Sequence, residues 1–311
     1  MSAAGDPPVA GATWRSLRAG AAGELGSDHE ARLLVEEVSG LGAAALALAL
    51  DEHAPEGAAQ RLADLVARRR AAEPLQHVVG HWSFRTVELT VDGRALVPRP
   101  ETEVVAGHAL AELARRRAAL AQAVAELGPT PGVDDSPVAL VAVDLGTGSG
   151  AIACAILAES DDVEVVGVDA SSDAVDLARE NVERLGPARA ARARLVVGDW
   201  YGGVAEFLHG LVDCVVANPP YLAAGEWAGL DPVVRDHDPY DALVAGPTGL
   251  EAVEAIVEGA PAVLAPGGAL VVEIAPGQAD AAAALAHAAG AVRVEIARDL
   301  AGRDRVLVAQ W

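Results

Sequence analysis

Hydrophobic and polar positions along the chain follow two different periods. Over residues 1–80 apolar side chains recur at helical spacing in four segments, 14–22, 28–38, 43–53 and 56–71, punctuated by Gly40, Gly42 and Pro55. Ser27 and Asp28 offer side-chain oxygens to cap the second segment. The pattern predicts a small helical domain over 1–80. It carries no catalytic constellation, and reads either as a structural cap or as a docking module for a macromolecular partner. At 86–92 the period drops to two: Val87, Leu89 and Val91 alternate with Thr86, Glu88, Thr90 and Asp92. Asp92-Gly93 signals a turn and Ala95-Leu96-Val97 a returning strand, so a β-hairpin linker is expected over 81–103. Pro100 ends that strand, and Glu101 or Thr102 starts a helix running to about residue 127, followed by a Pro/Gly/Asp-rich loop over 128–137. From 138 strands and helices alternate, with strands at 138–145, 163–169, 195–198, 212–217, 269–274, 292–296 and 306–309. Alternation of this kind predicts an α/β domain over 104–311, a mostly parallel sheet covered by helices on both faces.

Two strand ends carry the candidate chemistry. The run Val215-Val216-Ala217 is a buried strand that stops at Asn218-Pro219-Pro220-Tyr221, because neither proline can donate to a sheet ladder. Asn218 is therefore expected at the carboxyl edge of the sheet, where open α/β sheets bind ligands. The second stretch is Asp144-Leu145-Gly146-Thr147-Gly148-Ser149-Gly150, which follows a strand and opens a helix near Ala151. Glycines there let the backbone turn sharply and approach a ligand. Asp169, ending the next strand about 20 residues on, suits ribose hydroxyls. Asp199-Trp200, after the third strand, offers a carboxylate for an adenine amino group and an indole beside the ring. With Ala151 in the last position the loop fits a dinucleotide pattern. It fits the nucleoside loop of an S-adenosylmethionine enzyme as well. Asp144 at the loop entrance favours the second, since a carboxylate attracts the ammonium and sulfonium and repels a pyrophosphate.

Composition narrows the partners. The chain has 311 residues, 52% of them hydrophobic, enough for one full domain and a smaller one. It has 23 basic residues, all arginine, against 45 acidic ones, for a net charge of −22. Such a balance suits phosphate backbones poorly. The runs Arg68-Arg69-Arg70 and Arg115-Arg116-Arg117 read as solvated helix faces. Cys154 and Cys214 form no disulfide framework or metal set and read as two buried, reduced thiols. No metal is expected. The longest apolar run, 41–50, is too short to span a bilayer, and 1–20 lacks the apolar core of a signal peptide, so a cytoplasmic location is expected.

Taken together, Gly146 to Gly150, Asp169, Asp199-Trp200 and Asn218 to Tyr221 resemble a class I methyltransferase acting on a planar nitrogen. Three further stretches resemble the release factor glutamine methyltransferases, the PrmC/HemK family. They are Glu73-Pro74-Leu75-Gln76-His77 with Gly80; Val97-Pro98-Arg99-Pro100-Glu101-Thr102-Glu103; and Asp238-Pro239-Tyr240-Asp241-Ala242-Leu243 with Gly246 and Gly249. Residues 299–305 fit as well. The departures are Asp238 where Glu is common, Ala275 where Gly is usual, and an extended helix and loop at 104–137. The resemblance implies a seven-stranded sheet with one reversed strand behind a helical domain that docks the substrate protein. It implies S-adenosylmethionine as methyl donor, with S-adenosylhomocysteine as product, and the glutamine of the Gly-Gly-Gln motif of class I peptide release factors as substrate. A monomer is expected.

An amide nitrogen is a poor nucleophile with a weakly acidic proton, so positioning must do the work. The Asn218 oxygen and the Pro219 carbonyl would each accept one N–H of the substrate amide. Pro220 would stiffen the turn, and Tyr221 would pack over the amide plane and exclude water. Asn218 would also border the cofactor. The alternatives are a glutamine methyltransferase for a large-subunit ribosomal protein and a nucleic-acid adenine-N6 methyltransferase, which grips a flipped base with a similar motif. A catalytically idle cofactor-binding scaffold and a nicotinamide oxidoreductase rank below them.

Overall fold

The computed structural model describes residues 11–127 and 139–311. The expected loop at 128–137, Val138 and residues 1–10 of the N-terminal stretch lie outside the described residues. The chain divides into two units, 1–80 and 81–311.

In the first unit the helical period produces α1 (Trp14–Leu25), α2 (Asp28–Ser39), α3 (Ala43–Ala49), α4 (Ala58–Arg70) and a one-turn α5 (Leu75–Val79) that the sequence pattern did not single out. Ser27 caps α2 by accepting the Glu30 N–H, at 3.2 Å. Trp14, Leu34, Val35, Leu46, Leu62 and Val66 share one buried cluster. Arg69 meets Glu30 and Arg70 meets Glu24, so this part of the arginine run pairs with acids of its own unit.

The second unit opens on a hairpin, β1 (His81–Phe84) and β2 (Val87–Thr90), which differs from the expected one. The period-two strand is present, but its partner lies before it, across Arg85-Thr86. Ala95-Leu96-Val97 forms no strand. The reason is packing: Phe84 and Leu89 are buried on one hairpin face, while Ala95 packs against Ala174 and Leu177. Arg94 holds that segment down through Asp92 and Glu180. The helix α6 (Pro100–Leu127) starts at the proline itself, its fixed φ suiting a first helical turn, and runs on through residues 103 and 104.

The remaining elements alternate: β3 (Leu140–Leu145), α7 (Ala151–Glu159), β4 (Val163–Asp169), α8 (Ser172–Arg184), the short α9 (Pro187–Ala190), β5 (Ala193–Val197), β6 (Val212–Ala217), β7 (Leu222–Ala223), the short α10 (Pro232–Arg235), β8 (Val244–Gly246), α11 (Glu251–Val263), β9 (Leu264–Glu273), α12 (Ala279–Ala288), β10 (Arg293–Arg298) and β11 (Asp304–Gln310). Seven strands form one sheet in the order β10-β11-β9-β6-β3-β4-β5. β11 runs antiparallel to both neighbours, and β9, β6, β3, β4 and β5 are parallel, giving a class I methyltransferase fold with one reversed strand. Alternate residues feed two cores. Ala142, Val165, Cys214 and Val271 face α6 and α7; Val143, Val166, Val215 and Leu270 face α11 and α12. The chain winds outward from β3 to β5, then returns to place β6 on the other side of β3. The crevice between β3 and β6 is thus the topological switch point. The ends are level there: Leu145 pairs with Ala217 and with Val168, and Ala217 pairs with Val272.

Candidate active site

A cavity of about 360 Å³ opens at these strand ends. Its wall includes Gly146 to Ser149, Asp169, Asp199, Trp200, Asn218 and Pro220, so the two stretches of chemistry distant in sequence border one space. Gly150, Pro219 and Tyr221 stand outside the wall. Gly150 serves packing instead: at φ +78, a Cβ there would sit 3.1 Å from Cα of Ala178 and block the approach of α7 to α8.

The loop is held from below. The Gly146 and Thr147 N–H groups both donate to the Val168 carbonyl, at 2.8 and 2.9 Å. Thr147 Oγ1 donates to Asp144 Oδ2 at 2.7 Å, and the Ala153 N–H donates to the same oxygen at 3.2 Å. Asp144 is 1% exposed, and burial raises its pKa to about 7. Among the described residues its other oxygen, Oδ1, has no hydrogen-bond partner. The expectation that Asp144 faces the ligand at the loop entrance is corrected: its carboxylate lies beneath the loop, off the cavity wall, and braces Thr147. The electrostatic choice it offered between two cofactors loses its basis.

Asp169 does border the cavity. Its Oδ2 accepts the Gly148 N–H at 2.8 Å and its Oδ1 the Ser171 N–H at 2.9 Å. One backbone donor per oxygen leaves lone pairs for further donors. Trp200 has φ +40, rare for a bulky residue, and its ring edge lies 3.8 Å from where a Cβ on Gly146 would stand.

Asn218 makes its hydrogen bond through Nδ2, to Thr102 Oγ1 at 3.0 Å. Thr102 in turn donates to Glu273 Oε2 at 2.8 Å. Thr102 thus lies inside α6 rather than starting it, and turns its hydroxyl to Glu273. Arg305 approaches Glu273 at 3.8 Å, donates to the Tyr221 hydroxyl at 3.3 Å, and lies over the Tyr221 ring with Cζ 5.1 Å from the centroid. Burial and the charge of Glu273 push the Tyr221 phenol up; burial pushes Glu273 up as well.

Several positioning residues were missed in the sequence. Asn181 on α8, almost fully buried, donates to the Thr90 and Ser149 carbonyls and accepts the Thr90 N–H, tying β2 to the glycine loop. Gln278 donates to the Tyr221 and Gly249 carbonyls and accepts the Ala275 N–H, fixing the chain after Tyr221. Arg99 and Asp238, by contrast, both stand in stretches that the sequence had singled out; Arg99 donates to Asp238 at 2.7 Å, joining the two proline-rich segments whose Pro98 and Pro239 line the cavity. Asn181 and Gln278 left no local signal, whereas Glu273 left one, a carboxylate closing the apolar run Ala269-Leu270-Val271-Val272. The thiols are inert: both are buried, and burial pushes Cys154 up to about 12.

Residues 135–229 match a family model described as methyltransferase small domain, and residues 14–80 one described as PrmC N-terminal domain. The chain is 39% identical over 293 residues to a Cereibacter sphaeroides protein named release factor glutamine methyltransferase, covering 94% of each. A Deinococcus radiodurans protein of the same name is 39% identical over 298 residues, 96% of each. A third, from Agrobacterium fabrum, is 32% identical over 311 residues, 99% of each.

Proposed function

The chain belongs to the release factor glutamine methyltransferase family, and from that premise we propose that it transfers a methyl group from S-adenosylmethionine to the side-chain amide nitrogen of the glutamine in the Gly-Gly-Gln motif of class I peptide release factors. One observation carries the reading: Asn218 borders the same cavity as the glycine loop and Asp169, and spends Nδ2 rather than its oxygen on the protein.

The residues present fit the donor. The cavity of about 360 Å³ falls in the range of small-molecule sites. Asp169 keeps acceptor capacity for a pair of ribose hydroxyls, Gly146 presents bare backbone beside the Trp200 indole, and Asp199, on the cavity wall, would accept from the adenine amino group. S-adenosylmethionine, bound there, supplies a methyl group already activated by its sulfonium.

The protein's own task is aim. The Asn218 oxygen accepts one N–H of the substrate amide and the Pro219 carbonyl the other, which turns the remaining lobe of nitrogen towards the methyl. Positive charge developing on nitrogen is stabilised by the same two acceptors. Pro220 fixes their spacing by restricting the backbone. Tyr221, backed by Arg305, covers the amide plane and excludes water. No nucleophilic side chain is required, in keeping with two buried, unreactive thiols. Residues 1–80 are assigned to docking of the release factor.

The test is transfer of labelled methyl to an unmethylated class I release factor, to the same factor with its target glutamine replaced by alanine, to large-subunit ribosomal proteins, and to DNA. Label on the first alone is expected. Label on DNA or on a ribosomal protein, with none on the release factor, overturns the assignment.

A further inference from the structure

We propose that Glu273 acts through Thr102 to hold the Asn218 side-chain amide in the one orientation that offers its oxygen to the substrate nitrogen. This rests on reading Asn218 as the grip on a glutamine amide.

The argument is one of proton direction. An asparagine amide has nearly the same shape either way round, so packing alone does not choose between its oxygen and its NH₂. A mistaken choice is costly here: a flipped Asn218 would set its own N–H groups against those of the substrate. Glu273 ends β9 one residue past Val272, which pairs with Ala217, so it stands level with Asn218 across the β6–β9 ladder. Thr102, in the first turn of α6, sits between them. An ionised carboxylate only accepts. Thr102 has one hydroxyl proton and gives it to Glu273 Oε2 at 2.8 Å. Its oxygen then has only lone pairs for Asn218, which must answer with Nδ2, at 3.0 Å. Oδ1 is left for the substrate. A neutral Glu273 could donate to Thr102 and reverse the chain, so its charge sets the direction. Glu273 is 0% exposed. Burial holds its carboxyl above the ordinary carboxylate range, and Glu101 adds to that; the Thr102 hydroxyl, Arg305 on β11 at 3.8 Å from Oε1, and the more distant Arg99 oppose the shift and favour the charged form. Tyr221, hydrogen-bonded to Arg305, completes the surroundings. Glu273 and Thr102, the latter on the cavity wall, are positioning residues that act on the substrate nitrogen through Asn218.

The test uses the full chain, S-adenosylmethionine and an unmethylated class I release factor. Thr102→Val keeps the side-chain shape and removes the hydroxyl. Its kcat is expected to fall about tenfold or more, with the Kd for S-adenosylmethionine, by calorimetry, within about twofold of wild type. Thr102→Ser is expected to recover kcat to within about threefold. Glu273→Gln, whose amide can turn and so sets no direction, should fall with Thr102→Val. The deciding arm is the double variant: Thr102→Val in an Asn218→Ala background should be no slower than Asn218→Ala alone, because the hydroxyl has nothing left to orient. If Asn218→Ala is impaired while Thr102→Val keeps wild-type kcat, or if the two losses multiply, the relay is overturned and the reading of Asn218 stands. If Asn218→Ala itself keeps wild-type kcat, that reading falls and the relay with it.

Discussion

A carboxamide facing a carboxamide works only when each acceptor meets a donor, and Asn218 is placed to satisfy that condition at one atom. Replacing it with alanine removes an acceptor that strengthens as charge develops on nitrogen. Asn218→Ala is expected to cost kcat on the order of a hundredfold while leaving S-adenosylmethionine affinity at its wild-type value, measured by single-turnover kinetics and calorimetry. Asp169 is the converse case. Its carboxylate holds the Gly148 and Ser171 N–H groups as well as the expected ribose hydroxyls. Asp169→Ala should weaken S-adenosylmethionine binding by about 1.5–3 kcal/mol for lost charge-assisted hydrogen bonds, with further loss as the loop relaxes. Calorimetry showing unchanged affinity would remove Asp169 from the cofactor site.

At the scale of elements, the segment after Tyr221 depends on a close crossing of two backbones. Gly249 has φ +84, and a Cβ there would stand 2.8 Å from the Tyr221 carbonyl oxygen and 3.0 Å from the Ala223 nitrogen. Neither neighbour is a flexible side chain that can swing aside. Gly249→Ala is therefore expected to displace Tyr221 and the β7–β8 pair, lowering kcat together with urea stability, by on the order of 1–3 kcal/mol for the strained position. A variant with wild-type turnover and midpoint would show that this crossing is not needed. Elements also mark where local pattern was a partial guide. The alternation at Val87, Leu89 and Val91 identified a strand correctly but not its partner. Asp92-Gly93 is a good turn signal, yet the strand that fills β2's ladder is the one that can bury Phe84 against the same core, a non-local criterion.

At the scale of the whole molecule, global stability carries the signature of Asp144. Its folded pKa of about 7 lies above the ordinary carboxylate value of 3.8, because burial disfavours the charged form. The unfolded chain thus releases this proton at lower pH than the folded one. Stability contributed by the neutral form is complete below about pH 4 and declines as pH rises towards 7. Carboxylates paired with arginine, such as Asp162 with Arg117 and Glu159 with Arg85, are held low and act oppositely, losing their contribution at acid pH. Asp144→Asn keeps an oxygen for Thr147 and Ala153 but does not titrate. The urea midpoint of the variant relative to wild type is expected to rise between pH 4 and 7. A constant difference across that window would assign Asp144 an ordinary pKa.

The family, the class of fold and the list of chemical groups were all set by short-range features of the sequence: a glycine-rich turn after an apolar strand, a carboxylate at the next strand end, an asparagine before two prolines. Each of these is a local constraint on backbone or charge, legible without knowing what lies opposite. The tertiary structure decided which of those groups face the cavity. It withdrew Asp144 from the ligand side, because a carboxylate on β3, one residue before the strand ends, packs beneath the loop. It brought Glu273, Thr102, Asn181 and Gln278 to the site from segments far apart in the chain, since sheet register and helix docking, not sequence distance, fix which polar atoms meet when water is removed. Asn218 was evident as a terminus of a strand; the direction its amide faces was decided by a buried carboxylate 55 residues further along the chain and a threonine 116 residues before it.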